Sequence, residues 1–153
     1  MERSVLLLTV RRLLAIAVLL LLMTPVRPAS QVVVLVVPAD SPVVSLDSVS
    51  MRKLFLGLPV FLNGNALHPL RNRSDPRLDE IFLQQVVAMS QSSYDRQILV
   101  GVNRQGALRP AEFSSLPALL SALAADPDSV SYMWQSELVH NGKVRVIRVL
   151  WSD

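Results

Sequence analysis

The chain has no cysteine. That excludes a disulfide framework, a thiolate metal site and a cysteine nucleophile together. Histidine is nearly as scarce, with His68 and His140 the only two; neither lies in a motif supplying a nucleophile or metal partner, so both read as surface or edge residues. Only five glycines are present. There is no Gly-rich phosphate loop of the Walker kind, no GxGxxG, no GxSxG elbow and no HExxH. The acidic pairs Asp79-Glu80 and Asp126/Asp128 read as a solvated helix face and a helix-ending loop, because neighbours on a helix point apart. No nucleophile–base constellation assembles. The sequence therefore predicts a non-enzyme with no metal and no cofactor.

An excess of one charge is also missing from most of the chain. The formal net charge is +3, from 15 basic and 12 acidic residues. Residues 1–29 carry Arg3, Arg11, Arg12 and Arg27 against Glu2, so residues 30–153 hold 11 of each sign and are neutral. That gives no electrostatic footprint for nucleic acid. The basic residues precede or follow an unbroken apolar run from Leu13 to Met23. A positive segment, a short apolar core and a helix-breaking tail make the layout of a secretory signal, and eleven apolar residues fall short of a membrane span. Residues 1–29 read as a signal peptide ending near Ala29 or as an uncleaved membrane anchor. Export without disulfides fits a bacterial periplasm.

Residues 30–153 suffice for one domain with its own core. Gln31 to Val37 is a β-branched run, the pattern of a strand covered on both faces. Ser48 to Leu56 fits a short amphipathic helix stopped by Gly57. Asn63-Gly64 between apolar stretches marks a hairpin within Val60 to Leu70. Ser74-Asp75-Pro76 starts a helix whose apolar residues recur at helical spacing to about Ala88. Ser90 starts another that Gly101 is expected to end. After a polar loop to Pro110, Ser114 or Ser115 caps a third helix, which Asp126-Pro127 closes. Ser129 to Trp134 and Lys143 to Trp151 read as strands, with Asn141-Gly142 turning into the second. The alternation predicts an α/β domain with a mixed central sheet flanked by helices. Phe55, Ile81, Phe82, Val86 and Leu120 fall on the apolar helix faces and are the expected core.

One cluster has binding chemistry. Arg71, Arg73, Ser74 and Arg77 surround a helix start, where free N–H groups and arginine forks suit an oxyanion. A plain cap is the other reading, with Asp75 already supplying a negative charge.

The order of segments carries a resemblance. MRKLFLG (Met51 to Gly57) resembles the helix-ending IFLG motif of the phosphate-type periplasmic binding proteins of ABC transporters. FLNGNALHPL (Phe61 to Leu70) is similar to that family's Trp-x-Asp-Gly stretch and following strand. Arg71 to Phe82 falls where the family has an Arg, a Gly-Ser-Gly-Thr loop and a helix. Ser131-Tyr132-Met133 resembles its Ile-Gly-Tyr strand, and VRVIRVL its last strand. Asp75 and Pro76 stand where the family's loop continues beyond its serine. The resemblance covers about residues 31–151 and implies a single lobe of the periplasmic binding-protein fold. It implies an exported solute-binding-like protein taking phosphate or another oxyanion for ABC-type uptake or sensing, with Arg71 and Ser74 as the matching ligand positions. It also implies a membrane transporter or sensor as partner, and a second copy to complete a cleft of which one lobe makes one wall. The alternative is a periplasmic accessory module that binds a protein partner and no solute. The loop from Arg71 to Arg77 separates the two: donors converging on an open pocket favour binding, and a helix end filled by Asp75 favours the accessory role.

Overall fold

The computed structural model describes residues 30–138 and 142–153; the expected leader, His140 and Asn141 lie outside the described residues. A five-stranded sheet runs β5-β4-β6-β1-β7, formed by β1 (Val32–Pro38), β4 (His68–Asn72), β5 (Ala111–Phe113), β6 (Ser129–Trp134) and β7 (Val144–Ser152). β4 is parallel to β5 and β6, and β1 is antiparallel to β6 and β7. The sheet is mixed, as expected. A two-stranded ribbon, β2 (Phe61–Leu62) and β3 (Asn65–Ala66), turns on Asn63-Gly64, both at positive φ.

At its centre the sheet is covered on both faces, which is why β1 has no polar face: Val33 through Val37 are fully buried, while the edge strand β7 stays partly exposed. On one face Val33, Leu35 and Val37 meet α1 (Ser48–Phe55), α2 (Pro76–Phe82) and α3 (Gln91–Gln105). Phe55, Phe82, Tyr94 and Tyr132 pack there ring against ring, Phe82 stacked on Tyr132 at 4.7 Å. On the other face Val34 and Val36 meet Leu119 and Leu123 of α4 (Leu116–Ala125). Of the expected core, Phe55, Ile81, Phe82 and Val86 are buried. Leu120 is only partly buried, because α4 turns Leu119 and Leu123, one helical turn apart, to the sheet instead.

α2 is capped by Asp75 of the expected Ser74-Asp75-Pro76 start, and it continues as a π-helical turn from Leu83 to Val87 to the expected end at Ala88, which turns left-handed at φ 53°. One helix end differs from the sequence reading: α3 runs through Gly101 and stops at Gly106, at φ 62°. Gly101 sits inside the helix in a tight spot, where a Cβ would lie 3.2 Å from the Ala107 side chain. Gly57 does stop α1: it sits at positive φ, and a Cβ there would collide with the Leu108 carbonyl oxygen. β5 was not expected; its three residues add a parallel edge to β4.

Candidate functional site

The site grows from the end of β4. Strand pairing buries Arg71 and Asn72 completely, and the chain must then turn out toward α2. Asn72 shapes the turn. Its Nδ2 donates to the Tyr132 carbonyl at 3.0 Å, and its Oδ1 accepts from the Ser74 N–H at 3.0 Å and the Ser74 hydroxyl at 2.7 Å. Tyr132 returns its hydroxyl to the Asn72 carbonyl at 3.0 Å.

Asp75 follows in extended backbone with Pro76 in the first turn, where the missing N–H is harmless. Asp75 Oδ1 accepts from the N–H of Arg77 at 2.8 Å and of Leu78 at 3.4 Å; Oδ2 accepts from Trp134 Nε1 at 3.0 Å. The Asp79 N–H goes to the Asp75 carbonyl. The N–H groups of Ser74, Arg77, Leu78 and Asp79 thus all end on protein oxygens.

The four candidate ligand residues part company here. Arg71 lies fully buried between the rings of Phe82 and Tyr94, its guanidinium carbon 5.1 and 4.6 Å from their centroids. It donates to Asp79 Oδ1 through Nε at 3.2 Å and Nη2 at 2.7 Å, to Glu112 Oε1 at 3.0 Å and to Gln91 Oε1 at 2.7 Å. Burial works against its charge, but the bond to Asp79 and that carboxylate's charge prevail and raise its pKa. Arg73 is half-exposed and bridges the same acids, Nε to Asp79 at 3.4 Å and Nη1 to Glu112 at 3.2 Å. Asp79 is thereby corrected from a solvated helix residue to a largely buried ion-pair partner, its side chain 16% exposed. Ser74 is held by Asn72. Only Arg77 faces outward without an ion pair among the described residues, its guanidinium 5.4 Å from the Trp151 ring centroid.

Beside the helix start lies an open cleft of about 480 Å³, lined by Gln31, Asp75, Arg77, Trp134, Gln135 and Ser136 among others. Trp134 packs edge-on to Trp151 at 6.3 Å. Glu137 accepts from the Trp134 N–H at 3.2 Å. Its carboxyl is pushed up by burial and, less, by the neighbouring Asp75. The cleft therefore holds one arginine and a carboxylate, with a second carboxyl close by. Sequence reasoning missed Trp134, Glu137 and Glu112, which come from distant segments and carry no motif. The remaining histidine, His68, is exposed in β4 and pairs with Asp126 Oδ2 at 2.6 Å. Asp126, read as part of a solvated loop, supplies that contact.

No family model matches the sequence, and no curated protein matches it. Solved structures do. An ABC-type phosphate transport receptor from Vibrio cholerae superposes with a TM-score of 0.57 at 10% identity, covering 78% of this chain and 46% of the receptor. A candidate phosphate ABC transporter substrate-binding protein from Clostridium perfringens, with phosphate bound, gives 0.59 at 12% identity, covering 78% and 45%. A candidate phosphate-binding protein from Planctomyces limnophilus gives 0.54 at 8%, covering 78% and 42%. The domain shares the fold of the matched part of these three proteins. The chain spans less than half the length of each.

Proposed function

We propose that this is an exported accessory module, one lobe of a phosphate-binding-type fold whose oxyanion seat is filled by its own carboxylate and which binds a protein partner. The single observation that carries this reading is Asp75. Its carboxylate takes the Arg77 and Leu78 N–H groups that an anion at this helix start would need. The buried arginine behind it already has Asp79, Glu112 and Gln91 as acceptors. An entering oxyanion would have to displace a carboxylate close to a second acidic group, Glu137. The leader pattern of residues 1–29 supports export.

A second reading keeps the solute. The neighbour from Clostridium perfringens carries phosphate, and Arg77 faces an open cleft beside Asp75. On that reading Arg71, Arg73, Ser74 and Arg77 still hold phosphate or another oxyanion, for uptake or sensing with a membrane transporter.

Calorimetric titration of the purified protein with phosphate and a panel of oxyanions decides between them. The accessory reading expects no heat of binding from the wild type. It expects phosphate binding to emerge in Asp75→Gly, which removes the occupying carboxylate and exposes two N–H donors. Oxyanion binding by the wild type, lost in Arg77→Ala, would establish the solute reading instead.

A further inference from the structure

A second concave surface lies away from the cleft, between α1 and the π-helical turn. It is a groove of about 520 Å³, lined by Val49, Arg52, Lys53, Leu56, Gln85 and Val86 among others. Its lower wall is apolar: Val86 is 4% exposed and Leu56 is half-buried. Val49, 64% exposed, stands open at one side. The rim is basic. Arg52 and Lys53 are both exposed, and among the described residues neither takes part in an ion pair. No lining residue carries a carboxylate. The acid at the start of the same helix, Asp47, is held as a cap by the N–H groups of Val49 and Ser50 and the Ser50 hydroxyl.

This local charge stands out because residues 30–153 are neutral overall. Arg52 and Lys53 lie in the last turn of α1, where the helix dipole favours them, and with the exposed Val49 beside them they offer a surface complementary to a partner that is apolar and acidic. The π-helical turn, in place of a regular α-helical one, forms the other wall; such turns recur at functional positions. By contrast, β7 makes a poor docking edge, because two bulges break its register with β1.

We infer that this groove docks an acidic amphipathic helix of a protein partner. The helix would lay its apolar residues on Val49 and Leu56, over the buried Val86, and present carboxylates to Arg52 and Lys53. Helix-in-groove recognition of this kind reads apolar anchors at helical spacing, with charge setting specificity and association rate. The inference rests on the partner-binding reading above and says where the partner sits.

The test uses isotope-labelled protein and a synthetic stapled helix carrying leucines along one face and glutamates beside them. The expected result is amide shift changes concentrated at Val49, Arg52, Lys53, Leu56, Gln85 and Val86. Binding should weaken about tenfold in Arg52→Glu/Lys53→Glu, and less in Arg52→Gln/Lys53→Gln, which spares α1 a charge reversal near its end. Three results would each overturn the inference: no shifts at the groove, equal binding by the same helix with lysines for glutamates, or unchanged affinity in both double variants. Anionic phosphatidylglycerol vesicles shifting the same amides more strongly than the helix would also overturn it, in favour of a membrane surface. Inorganic phosphate, titrated separately, addresses only the filled seat. Phosphate binding alongside helix binding would remove the no-solute reading and leave the groove standing; silence from both would do the reverse.

Discussion

Arg71 and Arg77 lie on either side of one helix start, yet they do opposite things. Arg71 is fully buried, with two carboxylates, an amide and two aromatic rings around it. Arg77 lies at the cleft over Trp151 and has no ion pair among the described residues. Residue type alone made both look like ligands for an anion. Burial separates them: an arginine out of water must be satisfied by the protein itself, and one so satisfied has few donors left for anything else. Asp75 stands between the two and completes the division, because it serves the helix end from the cleft side.

The sharpest test of this contrast is Arg71→Met. It should cost about 3 kcal/mol, the lower end for removing one partner of a buried ion pair. The lower end applies because Glu112 is 31% exposed and can hydrate, and because Arg73 remains to bridge both acids. Arg71→Lys should fall between, since an ammonium keeps the charge and loses the fork that reaches Asp79 twice. Urea denaturation midpoints measure both. A loss in Arg71→Met no larger than that of a surface substitution would mean the network contributes nothing to the fold and that Arg71 is free for another role.

Why the sequence yields the helices but not this network is a matter of distance along the chain. Caps and periodicity are local: Ser90 and Ser115 stand at the N-caps of their helices, and Leu78, Ile81 and Phe82 are buried at helical spacing. The partners of Arg71 at Gln91 and Glu112 come from other elements, Glu112 from a three-residue strand with little β signal of its own. Asp79 is local, but which acid of an adjacent pair turns inward depends on where the sheet lies. Gly101 misled for a related reason. A glycine in a tightly packed helix interior reads the same in sequence as one that ends a helix, and of these two Gly106, not Gly101, has the positive φ of a helix stop.

An intermediate effect should appear at high pH. Burial pushes the Tyr94 phenol up to about 12, partly offset by the charge of Arg71, and burial also raises Tyr132 well above its ordinary value. A folded-state pKa above the unfolded one means that the stability is whole below about pH 10. It is lost as pH rises toward about 12, since the unfolded chain releases its proton first. Tyr94 alone accounts for about 2 kcal/mol of that loss. Tyr94→Phe should flatten the decline without abolishing it, because Tyr132 still titrates. It should also cost about 1 kcal/mol at neutral pH, through the lost bond to the Phe55 carbonyl. Stability unchanged between pH 9 and 12 would mean that water reaches these rings.

The smallest effects belong to the cleft side. Asp75→Ala removes a helix cap and should cost about 1 kcal/mol. The Trp134 indole N–H it leaves behind borders an open cleft, where water can replace the lost acceptor. Arg77→Ala should cost less still, about 0.5 kcal/mol, since among the described residues its exposed side chain meets the edge of the core through the half-buried Trp151 ring. The ordering matters more than either value. A small cost in Arg77→Ala beside a large one in Arg71→Met places stability inside the sheet and leaves the cleft side free to change without unfolding the domain. If Arg77→Ala costs as much as Arg71→Met, the Arg77–Trp151–Trp134 stack is itself structural. The cleft would then be one more packed face of the domain, and a search for its ligand would be aimed at the wrong surface.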